Sequence, residues 1–141
     1  MGASTEGPMN NNVSAVKAAY EAVARGQVEV LFGLLADDIR WRATGPGPLA
    51  GEYIGKAEIG RFFGKMGETY GDTFRLDVVD VLGSADRVIV LTEEKGEYRG
   101  QPVAWRSAHV YTFENERCVS FLSFQDDSYI NFWSARRSGV E

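Results

Sequence analysis

The chain has 141 residues, 44% hydrophobic and 25% charged, the balance of a single globular domain whose core needs no covalent staple. Asp and Glu outnumber Lys and Arg by 20 to 15, a net charge of −5. That argues against binding a phosphate backbone, which needs a basic face, or seeking anionic lipid. One histidine and one cysteine exclude an intrachain disulfide and leave too few ligands for a zinc site, so no metal is expected.

The opening MGASTEGPMNN is polar, has no apolar run of the signal-peptide kind, and carries Glu6 where a myristoylation signal needs Ser or Thr. Residues 1–11 are therefore expected to be a disordered arm or a cloning remnant, followed by one domain over 12–133 and a flexible tail over 134–141. No stretch approaches the length of a membrane span. Asn12 can cap a first helix, in which Val13, Val16, Tyr20 and Val23 form one apolar stripe and Gly26 ends the run. Val28, Leu31, Phe32 and Leu35 form the face of a second helix. In DDIRWRAT (37–44) the period changes. Ile39, Trp41 and Ala43 alternate with Arg40 and Arg42, the pattern of a half-buried strand.

GPGPLAG (45–51) admits no strand and lacks the Lys and Ser/Thr of a phosphate loop, so it reads as the rim of a pocket. A third helix is expected over about 56–69, with Ile59, Phe62, Phe63 and Met66 on its apolar face. Four long strands follow: DTFRLDVVDVL, DRVIVLTEEKGEY, PVAWRSAHVYTF and RCVSFLSFQDD. Their connections, GSAD, RGQ and ENER, are short enough for an antiparallel meander. The tail SYINFWSARRSGVE mixes aromatics with arginines and shows no decisive period. Helices first and strands last give an α+β class, with three N-terminal helices packed in the concave face of a curved, antiparallel or mixed sheet. Such a cone leaves a cavity between sheet and helices.

Alternation places Trp105, Ser107, His109, Tyr111 and Phe113 on one face of the third long strand. His109 is then either a hydrogen-bonded core residue or a proton-moving group in the pocket, suited to transfer near neutrality. Asp126, at the end of the last strand, is either an acid–base carboxylate or a cap for the tail. Glu94 reads as a solvated strand residue; facing inward, it would be a second carboxylate and change the chemistry. Tyr20, Trp41, Phe62, Trp105 and Tyr111 are core residues that double as substrate-binding walls. Cys118 reads as a buried, inert thiol, and its isolation points weakly to the cytoplasm.

The segments AAYEAVARGQVEVLFGLLADDIRW, GPGPLAGEYIGKAEIGRFF and the final FLSFQD together resemble the nuclear transport factor 2-like superfamily. Within it they are most similar to the SnoaL-like branch, related to ketosteroid isomerases and polyketide cyclases. The resemblance covers residues 13–127. It implies a cone-shaped domain without cofactor that takes a small apolar molecule and pairs as a homodimer through its sheet, near VYTF and SFLSF. Fold alone does not name the chemistry. The steroid-isomerase base would fall near Ala43, which is no carboxylate, whereas Tyr20 and His109 fall at or beside the positions of its oxyanion donors. In the Asp–Arg–Asp set of the related epoxide hydrolases, Glu94 and Gly96 occupy two places, and only Asp126 matches. Polyketide cyclases use an Asp where Asp126 stands. The reading is therefore an isomerase or cyclase working through an enol or enolate, with His109 and Asp126 catalytic. A carrier with the same pocket and no turnover is the alternative, as is a dimeric interaction module.

Overall fold

The computed structural model describes the backbone of residues 2–137 and the side chains of 11–136. The elements in chain order are α1 (Gly2–Ala24), α2 (Val28–Leu34), β1 (Leu35–Ala43), β2 (Gly51–Ile54) and α3 (Lys56–Tyr70). After a 3₁₀ turn (Gly71–Thr73) come β3 (Arg75–Gly83), β4 (Arg87–Tyr98), β5 (Gln101–Glu114), β6 (Arg117–Gln125) and α4 (Asp127–Arg137). The six strands form one open mixed sheet in the order β2-β1-β6-β5-β4-β3. Pairing is antiparallel except where β1 lies parallel to β6.

Two tight turns set the register of the long strands. Arg99 and Gly100 have φ of 52° and 80°, and Asn115 and Glu116 have 50° and 67°. Positive φ at both central residues is the hairpin turn whose twist matches that of the flanking strands. The first turn places Tyr98 opposite Gln101 and the second places Glu114 opposite Arg117. On the inner face of β5, Val103, Trp105, Ser107, His109, Tyr111 and Phe113 are all buried, as alternation requires. Val16 and Ala19 of α1, Leu31 of α2, and Ile59 and Phe62 of α3 cover that face.

Four expectations change. Helix α1 starts at Gly2, so Asn12 is a buried interior residue rather than the cap, and the backbone of 2–11 is helical where an arm was expected. A helix already nucleated gains a bond with each residue added, and one cap-competent side chain does not stop it. Directly after the glycine- and proline-rich rim, residues 51–54 form the short edge strand β2, with Tyr53 its buried residue. The aromatic tail is the helix α4, which brings buried Tyr129 and Trp133 against the sheet, so residues 134–137 belong to the fold. Residues 138–141 of the expected tail lie outside the described residues. Finally, Glu94 is 8% exposed and faces inward with Val88, Val90 and Thr92. No helix of the described residues is long and apolar enough to cross a membrane.

Candidate active site

Between the helices and the inner face of the sheet lies a cavity of about 440 Å³, within the usual size of small-molecule sites. Tyr20, Trp41, Phe62, Trp105 and Tyr111 all line it. Trp41 stacks on Phe121, centroids 3.7 Å apart and planes 13° from parallel, while Phe62 meets Trp41 edge-on at 5.5 Å. Adjacent strands explain the stack, because Trp41 and Phe121 are register partners across the parallel pair. From α4, Tyr129 adds a further wall, with its ring 4.9 Å from Trp105.

Within these apolar walls runs a chain of four polar side chains. Tyr111 Oη lies 2.7 Å from Tyr20 Oη, and Tyr20 Oη lies 2.7 Å from His109 Nδ1. His109 Nε2 lies 3.2 Å from Glu94 Oε2, which also accepts the Thr92 hydroxyl at 2.6 Å. Thus α1, β4 and β5 each contribute to one continuous network.

Its direction follows from the acceptor at its end. Burial works against the charge on Glu94, but the hydrogen bond and charge of His109 and the Thr92 hydroxyl outweigh it, holding the carboxyl below its ordinary value of 4.5. An ionised carboxylate only accepts, so the proton on that side belongs to His109 Nε2. While the ring is neutral, Nδ1 is the acceptor and takes the Tyr20 hydroxyl, with Tyr111 donating to Tyr20; once the ring is charged, both nitrogens donate and Tyr20 accepts from Nδ1. Tyr20 keeps some exposure, yet burial of its hydroxyl, with the Tyr111 phenol beside it, raises its pKa well above 10.0. Burial raises Tyr111 as well. Both phenols therefore stay protonated at neutral pH and act as donors.

Asp126 is not brought into this network. Its Oδ2 accepts the Arg106 amide at 3.2 Å and its Oδ1 accepts the Ser128 amide at 3.2 Å, while its own carbonyl accepts from Ile130. These contacts make it the cap of α4 and a tie to β5, outside the cavity wall. Its alternative reading as a cap is the one the geometry matches. Cys118 is buried against the Ser120 carbonyl at 3.2 Å, and burial pushes its thiol up to about 12. Among the described residues, no three His, Cys, Asp or Glu side chains stand close enough to hold a metal ion.

The comparisons with known proteins agree with this architecture. The SnoaL-like domain model matches residues 16–121. A protein from a soil-derived mobile gene cassette is 27% identical, with 89% of this chain and 98% of that one covered and a TM-score of 0.81. A nuclear transport factor 2-like protein of Burkholderia thailandensis is 26% identical over 90% and 96% of the two chains, with a TM-score of 0.78. TerC, co-crystallised with polyporic acid, is 20% identical over 86% and 96%, with a TM-score of 0.74, a likeness of fold. No curated protein matches the chain in sequence.

Proposed function

Because the chain belongs to the SnoaL-like domain family, we propose that it is a cofactor-independent acid–base protein acting on a small, mostly apolar molecule with a carbonyl or enol group. The reaction is an isomerisation or a cyclisation through an enolate. The observation that carries this reading is the Tyr111–Tyr20–His109–Glu94 chain set among apolar walls. Tyr20 meets the substrate. Its phenol oxygen takes the substrate proton as its own proton passes to His109 Nδ1, and the Glu94 carboxylate stabilises the imidazolium through Nε2. Returning the proton to another atom of the enolate completes an isomerisation. Attack of the enolate carbon on a second carbonyl, with the proton delivered to the new alkoxide, closes a ring. Glu94 takes the carboxylate role first assigned to Asp126.

The test is α-proton exchange. The protein is incubated with tetralone in deuterium oxide and deuteration is followed by NMR against buffer alone. Exchange that disappears in His109→Ala and Glu94→Gln supports the enzyme. Saturable binding of the ketone without exchange favours the carrier.

The homodimer belongs to the same proposal. On the outer face of the sheet, register rows Ile89–Val110–Leu122 and Leu91–Ala108–Phe124 form an apolar band across β4, β5 and β6. Phe124 is 49% exposed. A second copy seated on this band covers it. Phe124→Glu should then halve the mass seen by light scattering, and an unchanged monomeric mass in the native protein removes the dimer. The lone buried thiol supports a cytoplasmic setting.

A further inference from the structure

The cavity has a second polar pole. In the inner face of the sheet, Thr92, Ser107 and Gln125 form one cross-strand row over β4, β5 and β6. The Gln125 amide nitrogen donates to Ser123 Oγ at 2.9 Å, and Oε1 is buried without a partner. Gln125 and Ser123 both line the cavity. Ser107, Gln125's register partner, is 6% exposed. Its hydroxyl is engaged with the Glu94 carboxylate, which it helps to hold below the ordinary value against the effect of burial. The Gln125 acceptor has no such counterpart, and a buried acceptor left unpaired is costly. Gly45 packs beside the amide, and a Cβ there would stand 3.4 Å from Gln125 Oε1.

We propose that Gln125 is a specificity subsite for a hydroxyl group of the ligand. The hydroxyl donates to Gln125 Oε1. The substrate then carries two oxygens: a carbonyl whose neighbouring C–H, or an enol whose O–H, is directed at Tyr20, and a hydroxyl seated at Gln125. This rests on the cavity being the ligand site and names the class it takes, hydroxylated aromatic or alicyclic ketones. A ligand that offers only an ether oxygen leaves Oε1 unpaired and is rejected.

The experiment compares naphthol with methoxynaphthalene by displacement of the neutral dye phenylnaphthylamine from the native chain. Naphthol should bind about tenfold more tightly, the size expected for an acceptor left buried and unpaired. Gln125→Met, of similar length and without the acceptor, should bring the two ligands to equal affinity. A tenfold preference that persists in Gln125→Met and vanishes in His109→Ala places the hydroxyl at the Tyr20–His109 pole and overturns the subsite. Equal binding of both ligands to the native chain overturns it too, leaving the cavity reading intact. Failure of dye and both ligands to bind removes the cavity reading itself, and the subsite with it.

Discussion

Glu94 Oε2 stands 3.2 Å from His109 Nε2, although the two residues are not register neighbours: Glu94 lies opposite Trp105, and His109 opposite Val90. The glutamate side chain therefore runs along the inner face of the sheet, and the Thr92 hydroxyl meets it on the way. Both members of the pair are buried, 8% and 9% exposed. Removing one partner strands the other in an apolar surrounding. His109→Ala should cost about 3–5 kcal/mol of stability in urea unfolding. The double variant Glu94→Gln, His109→Ala should cost less than the sum of the single changes. Additive losses would mean that the two groups do not interact energetically.

Acid should reveal the same pair. The carboxyl of Glu94 ionises below its ordinary 4.5 in the folded chain, held there by His109 and Thr92 against the opposing effect of burial. The unfolded chain therefore binds more protons than the folded one as pH falls below that value. The contribution of Glu94 is complete above about pH 4.5 and is lost as pH drops through the lower, folded value. Urea midpoints measured on the acid side should fall more steeply for the native protein than for Glu94→Gln. Parallel curves would contradict the depressed value.

Asp126 gives the opposite expectation. Its carboxylate caps α4 and ties the helix start to the Arg106 amide. Asp126→Ala should lower stability by about 0.5–2 kcal/mol, and Asp126→Asn by much less, because an amide oxygen also caps. Neither should slow tetralone exchange once the protein is folded. A folded Asp126→Asn that has lost exchange would return this residue to the catalytic role its position suggested.

Most of the architecture is legible in the sequence because the first and third helices show a clear stripe and β5 places the rings of Trp105, His109, Tyr111 and Phe113 on one face. Glu94 is not, for a definable reason. Val88, Ile89, Val90 and Leu91 are apolar in succession, so β4 shows no parity of its own. Its outer residues Ile89 and Leu91 belong to the apolar band on the far face of the sheet. The usable signal lies in the turn. Taking Arg99–Gly100 as a two-residue turn, rather than RGQ as three, pairs Glu94 with Trp105 and turns it inward. One residue of turn length flips every side chain of the strand. Asp126 misleads in the other direction, since a carboxylate at a strand end serves equally as the cap of a following helix, and α4 shows no clean period. The parallel contact of β1 with β6 is non-local, and local periodicity does not report it.

Gly96 offers a last test, because it links packing to the cavity. It faces inward from β4, and a Cβ there would stand 2.8 Å from Tyr70 Cδ1 and 3.1 Å from Cγ. The Tyr70 ring is itself hemmed in by Trp105 at 5.7 Å, Phe74 at 5.8 Å and Trp133 at 6.4 Å. Tyr70 lines the cavity, so its room for retreat is the ligand space. Gly96→Ala should cost about 1–3 kcal/mol through overpacking and weaken phenylnaphthylamine binding as well. Gly60 in α3 is the control, since nothing lies within 4 Å of a Cβ built there. Gly60→Ala should stabilise by about 0.5–1 kcal/mol, as expected for an open helix position, and leave dye binding alone. Thermal unfolding and dye titration on both variants decide the matter. A destabilised Gly96→Ala with native dye affinity would show that Tyr70 yields away from the cavity, which would detach this wall from the ligand site.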